Sequence, residues 1–167
     1  LDPQAAIGRQ QLKKLSSFIE ARKSNWVTLR AGLNDLSEWF EFSLPTHART
    51  AAGTGFDWDA SGASCDPSWF GFMLRVRPSA PFSHSELAHH LDGKKIGNRM
   101  LFGGNLLRQP AFVQLRKDRP QALRVMGEMT GADELMQRAL FLGTYPGLTP
   151  AMLAYEIEVI HEFIRAH

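Results

Sequence analysis

The chain has 167 residues, of which 44% are hydrophobic and 22% charged, the composition of an ordinary soluble domain. Its 19 basic and 17 acidic side chains leave a net charge of +2 and are dispersed, which argues against a nucleic-acid-binding surface. The single cysteine excludes an internal disulfide and favours a reducing cytoplasm, and no apolar run approaches the roughly 20 residues needed to span a membrane.

The N-terminal part predicts a long helix. Asp2 is suited to the N-cap of a helix and Pro3 to its first turn, and apolar residues then recur at helical spacing. We predict helix from about Pro3 to Leu36, with a break near Lys13-Lys14. Because the chain starts without Met or a basic leader, we expect it to be part of a longer protein. The apolar residues of the stripe are Ile7, Leu12, Leu15, Phe18, Ile19, Trp26, Leu29, Leu33 and Leu36.

The next segment predicts two strands with a loop between them. Phe40-Glu41-Phe42 is a short strand candidate, and Trp69–Arg77 is a longer one. Residues 48–67 are rich in Ala, Gly, Ser and Thr, which is typical of a loop. Cys65 lies in this loop, and because no cationic neighbour would lower the pKa of its thiol, we interpret it as incidental.

A capped helix follows these strands. Ser83 or Ser85 is suited to the N-cap, and we predict helix through about Leu91, ending near Gly93. Three histidines lie along it: His84, His89 and His90. Their spacings place no two of them on one helix face, so we predict no metal site.

The stretch 97–112 contains the most unusual combination of residues. We predict a strand over Lys95–Phe102, and the stretch then ends in a turn. The pair Gly103-Gly104 indicates a bend or a close approach by another group. Asn and Arg side chains beside this bend could reach a polar ligand, since Arg offers a fork of donors suited to phosphate or carboxylate. The alternative, which the residues alone favour, is a strand end with solvated arginines.

The C-terminal part predicts helices around one more strand. Residues 121–139 form one or two short helices separated at Thr130-Gly131, and Leu140–Thr144 forms a strand. Thr149 and Pro150 then cap a last amphipathic helix. This order predicts an α+β sandwich with helices over one face of a small sheet. No nucleophile triad, phosphate loop or paired-carboxylate site is visible, so residue chemistry alone leads no further than a soluble α+β domain.

Several stretches together resemble one family, the DegT-type sugar aminotransferases, which are pyridoxal-phosphate (PLP) proteins of aminotransferase fold type I. These stretches are Asp2–Leu12, Glu20–Lys23, Pro67–Phe72 and Tyr145–Thr149. The sequence LFGGNLLRQP at Leu101–Pro110 resembles the CDP-4-keto-6-deoxyglucose 3-dehydrase branch, where plain aminotransferases usually carry a histidine-containing motif. The resemblance covers nearly the whole chain.

The resemblance implies a fold and a parent enzyme. Residues 1–37 would be a connecting helix, and residues 38–167 a C-terminal small α+β domain with a mostly antiparallel sheet covered by helices. The parent would use PLP or pyridoxamine phosphate (PMP) to dehydrate a nucleotide-linked 4-keto-6-deoxyhexose, giving 3-deoxysugars for lipopolysaccharide O-antigens. The alternatives are a sugar-nucleotide aminotransferase and a non-catalytic, stand-alone domain. Its active site would lie between this domain and an upstream large domain, in a cytoplasmic homodimer.

By position, the resemblance implies that Asn105 and Arg108 lie at the substrate mouth, with Arg99 and Gln109 as further candidates. The alternative role for Arg108 is an ion pair with a carboxylate of the large domain. Asn98 stands where the family leads us to expect a Thr.

The catalytic residues are expected upstream of this chain. They include the cofactor lysine, or the histidine that replaces it in dehydratases, and any cysteines that bind an iron–sulfur cluster. Cys65 matches none of the cluster cysteines that the family leads us to expect. We therefore expect the chain alone to bind no PLP or PMP and to be inactive.

Overall fold

The computed structural model describes residues 2–42 and 67–167, together with the backbone of residues 48–50 and 56–58. The helices are α1 (Asp2–Leu12), α2 (Leu15–Gly32), α3 (His84–Gly93), α4 (Pro110–Asp118), α5 (Thr130–Arg138) and α6 (Pro150–Arg165). The strands are β1 (Phe40–Glu41), β2 (Ala48–Thr50), β3 (Phe56–Trp58), β4 (Gly71–Val76), β5 (Asn98–Met100) and β6 (Ala139–Gly143). Single 3-10 turns lie at Asn34–Leu36, Leu106–Arg108 and Pro120–Ala122.

Four of these strands form one antiparallel sheet in the order β1-β4-β6-β5. Along β4 the side chains alternate, with Phe72, Leu74 and Val76 buried and the residues between them half-buried, because successive side chains point to opposite faces. Helices α2, α3 and α6 cover the buried face, and α5 lies against the other, where Arg75 Nη1 is 3.3 Å from Glu134 Oε2. The α+β class and the small, mostly antiparallel sheet are confirmed, with one helix on the second face.

The long N-terminal helix is divided where the sequence predicts. Helix α1 ends at Leu12 and α2 begins at Leu15, which confirms the break at Lys13-Lys14. Only the second part of the stripe joins the core, where Leu29 and Leu33 are fully buried, whereas α1 contains no buried residue. Ile7 is 63% and Leu12 68% exposed, so the first part of the stripe is an open apolar surface.

The helix caps follow the sequence closely. Ser83 is the N-cap of α3, because its Oγ accepts a hydrogen bond from the Glu86 N–H at 3.2 Å, while Glu86 Oε2 accepts from the Ser83 N–H at 2.6 Å. At the start of α6, Thr149 Oγ1 accepts from the Met152 N–H at 3.3 Å, and Pro150 occupies the first turn. Both predicted helix starts are confirmed, and Ser83, not Ser85, is the cap.

Two predictions about the irregular segments are wrong. The segment 48–67, predicted as loop, contains the antiparallel pair β2 and β3, while Cys65 lies outside the described residues. Pro110 begins helix α4 instead of closing a turn, because a proline at the first helical position lacks only an N–H that would have no partner there.

Two other elements are shorter than predicted. The strand expected over Lys95–Phe102 is confined to β5, since Lys95 and Phe102 have φ values of 64° and 46° that end it on both sides. Helix α5 begins at Thr130, where we predicted a separation between two helices.

Candidate functional site

Three of the family-like stretches, Glu20–Lys23, Pro67–Phe72 and Tyr145–Thr149, are far apart in the chain and meet at α2. The carbonyl of Trp69 accepts hydrogen bonds from Arg22 Nη1 at 3.1 Å and from Thr144 Oγ1 at 2.6 Å. Asn25, buried in α2, donates to the carbonyl of Tyr145 at 2.8 Å. A cleft of about 480 Å³ opens at this junction, lined by Leu15, Phe18, Ile19, Arg22, Ser68, Tyr145, Pro146 and Gly147. The polar groups of these stretches are thus used to fix the strand ends against the long helix.

The turn after β5 carries three of the four candidate site residues. Gly104 has a φ of 58°, and a Cβ there would lie 2.6 Å from Met136 Cγ, so only glycine fits between the turn and α5. Asn105 Oδ1 accepts from the Leu107 N–H at 3.0 Å and thereby caps the 3-10 turn. Gln109 Nε2 donates to the Gly103 carbonyl at 2.8 Å, which closes the turn on itself.

A single carboxylate, Asp133 of α5, binds Asn105 and Arg108. Asn105 Nδ2 donates to Asp133 Oδ1 at 2.8 Å, and Arg108 donates through Nε and Nη2 to the two carboxylate oxygens at 3.0 and 2.8 Å. The hydrogen bonds from Arg108 and then Asn105 lower the pKa of Asp133 to about 2, so its charge persists at physiological pH. The same pairing raises the pKa of Arg108.

The two members of this cluster differ in accessibility. Asn105 is 4% exposed, and both ends of its amide are hydrogen-bonded within the domain. The side chain of Arg108 is 62% exposed, and its Nη1 forms no hydrogen bond with a described residue. Among the described residues, the geometry therefore leaves one guanidinium nitrogen of Arg108 exposed and without a hydrogen bond, while Asn105 holds the turn.

Arg99 lies apart from this cluster, on β5. It faces Phe141 of β6 across the sheet, and its Nη1 donates to the carbonyl of Asn98 at 3.1 Å. Asn98 itself is buried and donates to Asp92 Oδ1 at 2.8 Å and to the Ala88 carbonyl at 3.3 Å. The residue that departs from the family pattern thus ties β5 to helix α3.

Sequence reasoning missed Asp133 and the aromatic side chains around Arg99. Asp133 is 25 residues from Arg108, and no spacing rule links an arginine in a turn to a carboxylate on a later helix. Phe70 and Phe102 are exposed and stack with centroids 6.3 Å apart, and both contact Phe141. The feature of the sequence that could have indicated these aromatic side chains is Phe102, which directly precedes the Gly103-Gly104 pair.

Lys94 does not have the character of a lysine that binds PLP. A lysine that binds the cofactor needs a lowered pKa, whereas the ion pair of Lys94 with Glu162, at 2.9 Å, raises the pKa of Lys94. Among the described residues, no group of three or more His, Cys, Asp or Glu could hold a metal ion. Within those same ranges, none of the helices combines the length and apolar character that crossing a bilayer requires.

Comparison with known proteins gives relatives over nearly the whole chain. Residues 1–161 match the DegT/DnrJ/EryC1/StrS aminotransferase family model. The chain is 36% identical to lipopolysaccharide biosynthesis protein RfbH of Salmonella typhimurium, covering 97% of this chain and 32% of that protein. It is also 36% identical to the dTDP-4-dehydro-2,6-dideoxy-D-glucose 3-dehydratase of Saccharopolyspora spinosa, covering 98% and 30%. It therefore spans about a third of the length of these relatives.

Solved structures show the same fold. The E. coli GDP-4-keto-6-deoxy-D-mannose-3-dehydratase with bound hydrated PLP has a TM-score of 0.67 at 24% identity, covering 92% of this chain and 33% of that one. An aminotransferase from Psychrobacter cryohalolentis has a TM-score of 0.72 at 15% identity, covering 98% and 38%. With the family model matched from residue 1 to 161, the chain belongs to the DegT/DnrJ/EryC1/StrS aminotransferase family.

Proposed function

We propose that this chain is the C-terminal small domain of a PLP- or PMP-dependent sugar-nucleotide 3-dehydratase. The observation that carries the proposal is the 36% identity, over 98% of the chain, to a protein named as a sugar 3-dehydratase. The similarity to RfbH supports lipopolysaccharide O-antigen as the destination of the 3-deoxysugar. We extend the proposal to an upstream large domain, a homodimer and a cytoplasmic location.

In this proposal the turn that follows β5 faces the substrate. Arg108 Nη1 supplies a charged donor to a phosphate or sugar oxygen, and Gln109 of the same turn is a further polar contact. Arg99, which lies apart on β5, is a further candidate for contact with the substrate. Asn105 is a positioning residue, because its amide is hydrogen-bonded to Asp133 and to the backbone of the 3-10 turn. Asp133 fixes the guanidinium plane of Arg108 by accepting two hydrogen bonds from it.

The cofactor and any iron–sulfur cluster belong to the upstream part in this proposal. When bound there, the cofactor serves as the electron sink that allows a 4-keto sugar to lose its C3 hydroxyl. This chain contributes substrate binding and closure of the site.

A second candidate is a sugar-nucleotide aminotransferase. Its support is the likeness of the fold to the Psychrobacter cryohalolentis enzyme. The two functions differ at one upstream position, since a lysine can link covalently to the cofactor, whereas a histidine can only move a proton there.

Product analysis tests the proposed function. The protein made from the complete coding sequence should convert a nucleotide-linked 4-keto-6-deoxyhexose to a 3-deoxy product, identified by mass spectrometry, and the upstream residue should be His. A 4-amino sugar as the product, with Lys at that position, would show the aminotransferase instead.

We also predict that the 167-residue chain alone binds no PLP, because we expect the cofactor lysine and the phosphate ligands in the upstream domain. The measurement is the visible absorption of the chain after incubation with PLP and dialysis, followed by borohydride reduction and mass spectrometry of the peptides. Stoichiometric yellow colour that survives dialysis, with the cofactor attached to one lysine after reduction, would contradict the prediction.

A further inference from the structure

Three phenylalanines, Phe70, Phe102 and Phe141, form what we call the aromatic surface. The rings of Phe70 and Phe102 are nearly parallel, with an interplanar angle of 26° and centroids 6.3 Å apart. Phe141 lies 5.6 Å from Phe70 and 5.8 Å from Phe102. Phe70 is 66% and Phe102 78% exposed, so at least two large ring faces are open to solvent.

Phe102 contributes little to the stability of the domain, for two reasons. Its φ of 46° lies in the left-handed region, which bulky residues rarely adopt and which glycine or asparagine would occupy more easily. Its ring is also exposed, so it gains little from burial in the domain. A strained and exposed phenylalanine adds little to the stability of the fold, so its ring is available to a group outside the described residues.

The surroundings of the aromatic surface give it a defined shape. A Cβ at Gly71 would lie 2.5 Å from Phe141 Cδ2, so the glycine lets this ring lie flat over β4. A cleft of about 200 Å³ results, lined by Trp69, Phe70, Gly71, Met73, Leu101, Phe102 and Phe141. This volume suits a planar ring system.

Charge and continuity connect this cleft to the candidate site. Arg99 lies directly opposite Phe141 on the neighbouring strand and forms no ion pair with a described carboxylate. Phe102 also lines a second cleft of about 350 Å³, formed with Leu101, Gly103, Gly104, Leu106, Ala132 and Leu135. A ligand that covers Phe102 can thus extend along the turn that carries Arg108.

We propose that the aromatic surface stacks against the base of the sugar nucleotide, with Arg99 beside its phosphates. The inference rests on the proposed function, because that function supplies a substrate with a nucleobase. Aromatic side chains bind bases of any sequence through their ring faces, and loss of one such ring weakens binding by about 5- to 150-fold. Arg99 supplies the positive charge that a diphosphate requires.

The test is a titration of the 15N-labelled 167-residue chain, with CDP, GDP and dTDP as probes, followed by NMR because it detects millimolar binding. We expect amide shifts at Phe70, Phe102 and Phe141 with at least one nucleotide and none with pyrophosphate or ribose 5-phosphate alone. Phe102→Ala should weaken the dissociation constant at least fivefold, while Phe102→Trp should retain binding.

The matched control is Tyr155→Ala, which removes another exposed aromatic ring, on α6, and should leave nucleotide binding unchanged. Absence of shifts at the aromatic surface, or equal binding by Phe102→Ala, overturns the inference. Either result leaves the product analysis of the complete enzyme untouched. Conversely, nucleotide binding at Phe102 in a protein that performs no dehydration would refute the proposed function alone.

Discussion

Arg108 binds Asp133 in the structure, and we propose that it also binds the substrate. One substitution distinguishes these two roles. In the complete enzyme, Arg108→Ala should weaken substrate binding by about 10- to 150-fold, the loss of a charge-assisted hydrogen bond of roughly 1.5–3 kcal/mol. The melting temperature should hardly change, because exposed ion pairs contribute about 0–1 kcal/mol. Binding assays and thermal melts on the same variant measure both effects.

The control for this prediction is Lys94→Ala, which removes another exposed cation from an ion pair, on the far end of α3. It should leave substrate binding unchanged. If Arg108→Ala instead lowers the melting temperature while binding persists, the arginine braces the domain and does not contact substrate.

Glu156 of α6 is a buried carboxylic acid, 8% exposed, and its Oε2 has no hydrogen-bond partner among the described residues. Burial raises its pKa from 4.5 to about 7. Below pH 4.5 the acid is protonated in both the folded and the unfolded chain, but above it the unfolded chain ionises first. The free energy of unfolding should therefore fall by up to about 3 kcal/mol as pH rises from 4.5 to about 7.

Glu156→Gln should remove this pH dependence, because an amide does not ionise. Denaturant unfolding at several pH values between 5 and 8 measures how the free energy of unfolding depends on pH. The control is Glu158→Gln, at an exposed site on the same helix. A wild-type chain whose stability stays constant across this range would contradict the assignment.

Helices α2 and α6 cross at a glycine. A Cβ at Gly32 would lie 2.9 Å from Ile157 Cγ1 and closer still to its Cδ1, and the β-branched Ile157 has little rotamer freedom in a helix. We expect Gly32→Ala to destabilise the chain by about 1–3 kcal/mol in denaturant unfolding.

Gly8, in α1, is the matched control, because a Cβ there meets nothing within 4 Å. Gly8→Ala should leave stability unchanged or slightly higher, since alanine favours helix. Equal effects of the two substitutions would show that helix propensity, and not the crossing, determines the outcome.

The sequence was most informative where structure is set locally. Apolar spacing and caps such as Ser83 located helices α2, α3 and α6, since each signal lies within a few residues of its effect. Pro110 was misread because a proline suits both a turn and a first helical turn. Resemblance provided Arg108 as a candidate, but its pairing with Asp133 joins two elements that only the folded sheet brings together.

We expect the apolar surface of α1 and the first turns of α2 to determine how the whole molecule associates. In the complete enzyme we propose that it lies against the large domain. In the isolated chain Ile7, Leu12 and Leu15 are exposed, and contiguous apolar patches of this kind promote association. We expect a dimer through this helix, detected by light scattering on size-exclusion chromatography.

Leu12→Glu should shift this equilibrium toward monomer, since it places a charge in the centre of the patch. Met126→Glu changes an equally exposed apolar residue outside the helix and should have no effect. A wild-type chain that stays monomeric at high concentration would contradict the prediction.

The strand order has a further consequence for how the chain is made. Strand β6 lies between β4 and β5, yet it follows both in the sequence. While a ribosome has reached only Arg138, β4 has one open edge and β5 has no neighbour, and unpaired edges invite aggregation. We therefore expect the sheet to close late, through long-range pairing, and the chain to be most prone to aggregation in the interval between synthesis of β4 and β6.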